Sequence, residues 1–164
     1  MTFPQVYETY YDSIYKMIYM RLLNRDDTED VVQDTFIRAY SAWDSYNPEK
    51  AAVQTWLYAI ARNTLINHMR KYRSFTPAVP LDETLEQGVE DRELAALTDG
   101  NAQDAYLILK KLTDGERELL TMRYAMDLSY REMAQQLGSN EKTVAKRVER
   151  LVAKCRTIAD QEKL

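Results

Sequence analysis

Residues 128–156, LSYREMAQQLGSNEKTVAKRVERLVAKCR, constrain this chain more than any other stretch. They predict two helices joined by a tight turn. Ser129 suits an N-cap, and Glu132 three residues on completes a capping box. Tyr130, Met133, Ala134 and Leu137 recur at the spacing of one apolar helix face. Gly138 offers the left-handed residue that ends such a helix. Ser139 or Asn140 caps the second helix, whose inner face is Val144, Val148, Leu151, Val152 and Cys155. Its other face carries Lys142, Thr143, Lys146, Arg147 and Arg150. In a helix-turn-helix the second helix enters the DNA major groove. Two amphipathic helices and a glycine turn also occur in any helical bundle, where the charged face is only solvated. The second helix is basic in a chain whose net charge is −4, and that contrast favours the DNA reading.

Charge is segregated along the rest of the chain too. Acids crowd residues 26–34 and 82–99, and bases crowd residues 62–73 and 142–156. Separate acidic and basic surfaces point to a DNA face and a different, basic partner. Four glycines and four prolines in 164 residues favour long helices over many turns. The length admits one domain or two small ones. A single cysteine, Cys155, rules out an internal disulfide and reads as a small core residue. No apolar run is long enough to span a bilayer, and the first residues lack a basic-then-apolar signal. A cytoplasmic location is expected.

Taken in order, residues 4–23 predict a helix faced by Tyr7, Tyr10, Tyr11, Ile14 and Ile18. Thr28 caps a second helix reaching about Trp43, with Val32, Phe36, Ala39, Tyr40 and Trp43 inward. Asp30, Gln33, Asp34 and Arg38 lie on or near its other face. Asp30 and Asp34 stand one turn apart, but no His or Cys cluster joins them, so no metal site is expected. Either they dock a basic partner or they are plainly solvated. Residues 44–51 form a loop. A third helix over about 52–72 buries Val53, Trp56, Leu57, Ile60 and Ala61. Its second half is polar or basic, with Arg62, Asn63, Asn67, His68, Arg70, Lys71 and Arg73, and holds no acid. Cations for phosphates and amides for base edges suit an opened nucleic-acid strand, although a basic helix end also suits the helix dipole. Residues 74–100, acidic and broken by Pro77, Pro80 and Gly88, read as a flexible linker with a short helix near residues 92–97. Beyond it, Ala105, Tyr106, Leu109 and Leu112 face one helix inward, and Thr113 with Glu116 starts another over 114–126 carrying Leu119, Leu120 and Tyr124. The fold class is all-α: two small helical domains joined by a flexible acidic linker, the C-terminal one a four-helix domain with a helix-turn-helix.

Three stretches in this order resemble the small extracytoplasmic-function (ECF) sigma factors of bacterial RNA polymerase, in the sigma-70 family. DTEDVVQDTFIRAYSAW at 27–43 is similar to that family's core-binding helix. WLYAIARNTLINHMRKYR at 56–73 is similar to its −10 element helix, and LTDGERELLTMRYAMDLSYREMAQQLGSNEKTV at 112–144 to its −35 element domain. The resemblance implies region 2 over residues 1–73, a linker over 74–100 and region 4 over 101–164. It implies that Asp30, Gln33 and Asp34 bind core polymerase. Tyr46, Arg62, Asn63, Asn67, His68, Arg70 and Lys71 would meet the opened −10 strand, with Tyr46 near a flipped base. Lys142, Thr143, Lys146, Arg147 and Arg150 would sit in the −35 groove. Three places depart from the family pattern. Ala51, Ala52 and Val53 replace a small residue and phenylalanine, Asn67 replaces an aspartate, and Asp127 replaces a glycine.

The implied function is that of a sigma factor: it binds core polymerase, directs promoter-specific initiation through the −35 and −10 elements, and traps opened −10 bases. It is not an enzyme and needs no cofactor. Its expected partners are core RNA polymerase, promoter DNA and an anti-sigma factor, membrane-anchored in many members of the family. A dimeric DNA-binding regulator is the main alternative, and the basic half of the third helix argues against it. A helical enzyme using Asp30, Asp34 and His68 lacks a glycine loop, a nucleophile–base pair or metal-spaced ligands.

Overall fold

The computed structural model describes residues 1–75 and 102–164; of the expected linker over 74–100, Ser74 and Phe75 continue the preceding helix and the rest, with the short helix expected near 92–97, lies outside the described residues. The expectation for the fold class holds: among the described residues every regular element is helical. They belong to two compact units.

The first unit holds α1 (Phe3–Leu22), α2 (Arg25–Ala42) and α3 (Val53–Phe75), each packed on the other two. Thr2 and Gln5 form a capping box that starts α1. Leu23 ends it in the left-handed region at φ 52°. The capping of α2 differs from expectation. Asn24 is the cap, its side chain accepting from the Asp27 N–H at 2.9 Å. Thr28 is a buried residue of the first turn, its hydroxyl donating to the Asn24 carbonyl at 2.6 Å. The core gathers Ile14, Met17, Ile18 and Tyr19 of α1, Val31, Val32, Phe36 and Ala39 of α2, and Leu57, Tyr58, Ala61 and Leu65 of α3. Tyr40 is the second correction: it is 68% exposed. The apolar stripe of α2 is wider than the arc that α1 and α3 cover, so its margin is left in solvent. A 3-10 turn, Trp43–Ser45, follows α2 directly.

The second unit holds α4 (Ala102–Lys110), α5 (Asp114–Leu120), α6 (Tyr130–Leu137) and α7 (Glu141–Gln161), with α7 packed against the other three. Capping boxes at Thr113 with Glu116 and at Ser129 with Glu132 both form as expected. The helix after Thr113 is not a single α-helix to residue 126. It widens at Thr121–Ala125 into a π turn, closed by Met126 N–H on the Thr121 carbonyl at 3.0 Å. Leu119, Met122 and Met126 are nevertheless buried at the spacing of one helix face. Tyr124, the aromatic residue this helix carries, is 56% exposed. Arg117 is buried and donates from Nε to the Leu109 carbonyl at 2.7 Å, satisfying the open C-terminus of α4. Lys111 pairs with Glu162 and Lys154 with Glu116, the latter at 2.8 Å, tying α7 to the first turns of the unit.

Candidate nucleic-acid interface

Local chemistry builds the α6–α7 pair. The Ser129 hydroxyl accepts from the Glu132 N–H at 3.1 Å, and the Glu132 carboxylate accepts from the Ser129 N–H at 3.1 Å. Gly138 takes φ 62° and ends α6. Asn140, one of the two expected candidates, caps α7 by accepting from the Thr143 N–H at 2.9 Å. With these constraints Val144, Val148 and Leu151 turn inward and Lys142, Thr143, Lys146, Arg147 and Arg150 are all exposed. Glu141 and Glu149 are exposed on the same helix, so the basic face is bounded by acids. Cys155 is half-buried, and burial raises its thiol pKa, which suits a packing role better than a reactive one. The turn before Ser129 explains the departure at residue 127. Asp127 stands at φ 51°, a left-handed conformation that glycine adopts at least cost.

In the first unit Asn63, Asn67, Arg70 and Lys71 of α3 are exposed, and Arg62 and His68 are half-buried. Packing of α2 on α3 then brings together residues that the sequence assigned to different partners. Asp30, Asp34 and Arg38 share one groove of about 270 Å³ with Asn67, His68 and Lys71. Asp34 is half-buried there and accepts from Arg38 Nε at 3.1 Å. Asp30 and Gln33 are exposed. Asp30 and Asp34 therefore border the polar half of α3.

Tyr46 is half-buried, and its ring stacks on Trp43 with centroids 5.3 Å apart. It also meets Trp56 at 4.9 Å. Its hydroxyl donates to the Ala51 carbonyl at 2.8 Å, which braces the loop over residues 46–51. One ring face is thus engaged inside the protein.

Sequence reasoning missed a second groove, of about 630 Å³, between α1 and α2. Phe3, Tyr7, Phe36, Ile37 and Tyr40 line it, with Glu29, Asp30 and Gln33 on its rim. Tyr7, Ile37 and Tyr40 are 44%, 59% and 68% exposed. Phe3 meets Tyr40 edge-on at 5.2 Å, and Tyr7 meets Phe36 likewise at 4.8 Å. The signal available was Ile37, an aliphatic residue among polar neighbours on the α2 face read as solvent-facing. Among the described residues no group of three or more His, Cys, Asp and Glu is placed to hold a metal, and no helix is long and apolar enough to cross a membrane.

Comparison with known proteins matches both units. Residues 6–75 match the family model for sigma-70 region 2, and residues 102–155 that for sigma-70 region 4. The ECF RNA polymerase sigma factor BldN of Streptomyces coelicolor is 30% identical over 159 residues, 93% of this chain. The chain spans only 59% of that relative's length. The ECF RNA polymerase sigma factor SigW of Bacillus subtilis is 32% identical over 161 residues, covering 90% of this chain and 83% of that one. Among solved structures, the sigma factor RpoE of Bartonella quintana, in complex with the anti-sigma factor NepR, superposes with a TM-score of 0.71. That match covers 96% of each chain at 21% identity, and it supports the fold. Two sigma-70 regions matched in order, together with relatives at this identity, place the chain in the sigma-70 family as an extracytoplasmic-function RNA polymerase sigma factor, a protein of transcription initiation.

Proposed function

We propose that the chain carries core RNA polymerase to promoters by reading two elements, region 4 over residues 101–164 taking the −35 duplex and region 2 over residues 1–73 the opened −10 strand. The observation that carries this reading is the α7 face. Lys142, Thr143, Lys146, Arg147 and Arg150 stand exposed at the start of a helix whose direction is set by three caps. An arginine there can bond a guanine bidentately, and the lysines neutralise phosphates. On α3, Asn63, Asn67, Arg70 and Lys71, with Arg62 and His68 beside them, supply amides and cations to a separated strand. Tyr46 supports the neighbouring loop, where a flipped base would be held. Flipping costs a few kcal/mol of stacking, so melting follows if the pocket holds the flipped base better than the duplex holds it stacked.

The α1–α2 groove is the docking site we assign to core polymerase. Its aromatic floor and its acidic rim of Glu29 and Asp30, beside Gln33, suit an amphipathic helix with basic residues. Asp34 lies around the helix from that rim, so its contribution to polymerase binding is electrostatic. An anti-sigma factor, membrane-anchored as in many members of the family, would compete for the same chain. The protein then works in the cytoplasm, and the chemistry of transcription belongs to the polymerase. Transcription in vitro with purified core polymerase on a random promoter library, with start sites sequenced, tests the reading. Enrichment of two spaced elements is the expected result. Initiation with no sequence preference, or none above core alone, would overturn it.

A further inference from the structure

The turn that leads into the helix-turn-helix is held by a side chain that the −35 face does not include. Arg123 lies in the π turn, half-buried, and donates from Nη1 to the Leu128 carbonyl at 2.9 Å. Its guanidinium carbon also sits 4.4 Å from the centroid of the Tyr130 ring. One planar group thus bridges the end of the α5 segment and the first residue of α6, across left-handed Asp127. The anchor on the far side is firm, because Leu128 is 1% exposed and its N–H donates to the Met122 carbonyl at 3.0 Å. Arg123 belongs to the π turn itself, and its neighbour Tyr124 is exposed.

We infer that Arg123 is a positioning residue for −35 recognition: through Leu128 and Tyr130 it sets the angle at which α6, and with it α7, meets the groove. The inference rests on the two-element reading proposed above. It gives an arginine in a DNA-binding unit a task unlike the usual one. Its charge is spent on a carbonyl and a ring, and planarity matters as much as charge. A shift of an ångström in α6 carries α7 with it, because the two pack together.

Salt dependence separates the two tasks. A phosphate contact contributes about 0.9 to the slope of log K against log salt, whereas a positioning contact contributes none. The holoenzyme is assayed on a duplex carrying the −35 element selected from the random library, and on a scrambled duplex. Arg123→Ala is expected to lower affinity for the selected duplex about tenfold, to leave scrambled binding near wild type, and to keep the salt slope. Tyr130→Leu, which removes no charge, is expected to show the same loss of preference, and Tyr130→Phe, which keeps the ring, to restore it. The double variant R123A/Y130L is expected to be no worse than either single one, because both break one clamp. If Arg123→Ala does not fold, Tyr130→Leu and Tyr130→Phe carry the test alone. A slope reduced by about one with base preference intact would make Arg123 a phosphate contact and overturn the positioning role. Unchanged preference in Tyr130→Leu would overturn it as well. If the wild-type holoenzyme selects no −35 element at all, the two-element reading itself fails, which is a separate outcome.

Discussion

The two units reach their proposed binding surfaces by different routes. In the second unit the surface is assembled locally: Ser129, Gly138 and Asn140 fix two short helices, and a regular spacing sends valines in and cations out. In the first unit the surface is assembled by packing. Acids of α2 and amides and cations of α3 become neighbours only because the two helices lie together, and the aromatic groove exists only where α1 and α2 fail to cover each other. A locally built site is broken by losing a cap or a reader. A site built by packing is broken by changing a residue whose importance no single helix reveals.

The largest effect is expected in that second class. Tyr40→Asp places a charge in the aromatic groove, where anchor residues of an interface are worth about 2 kcal/mol or more. Affinity for core polymerase, measured by titration, should fall at least about thirtyfold. Helicity should be unchanged, because Tyr40 is 68% exposed. Unfolding of the variant would show the ring to be structural. Next, Arg147→Ala should weaken −35 binding by about 1–3 kcal/mol and relax preference at one base pair. A uniform loss across all sequences would make Arg147 a phosphate contact instead.

Smaller effects sharpen the local half of the comparison. Asn140→Ala removes the α7 cap and should cost about 1 kcal/mol, read as a lower melting midpoint of the second unit. Asp127→Gly should stabilise the unit by about 0.5 kcal/mol, since glycine takes φ 51° with less strain. A rise of about 2–4 °C in the midpoint is expected, and a fall would mean that the Asp127 side chain makes a contact worth more than the strain.

The smallest effect concerns pH. The bond from Lys154, and then that from the Thr113 N–H, hold the Glu116 carboxyl below its usual range. A carboxylate lowered in the folded state adds stability above its unfolded pKa, and loses it as pH falls through the folded value. Glu116→Gln keeps the capping box but drops the pair with Lys154, which is 46% exposed. The variant should be less stable than wild type by under about 1 kcal/mol at neutral pH, and the gap should close below about pH 4. A gap that persisted in acid would mean that geometry, not charge, separates the two.

Much of this molecule follows from the amino-acid sequence alone. The capping boxes at Thr113 and Ser129, the left-handed Gly138 and the outward cations of α7 all depend on residues within a turn of one another. Backbone chemistry at that range is legible without any tertiary contact. The order of the basic and acidic stretches likewise needs no fold to be read. Tertiary structure decided the rest, because periodicity describes one helix and burial needs two. Tyr40 continues an apolar stripe, yet it is exposed because α1 and α3 cover only part of α2. Tyr124 keeps helical spacing with Leu120, yet it is exposed because the buried face runs through Leu119, Met122 and Met126. Tyr46 stands in a loop by its sequence, and only the fold shows that Trp43, Trp56 and the Ala51 carbonyl hold it. Asp30 and Asp34 stand far from Lys71 along the chain, and only the packing of α2 on α3 makes them share a groove.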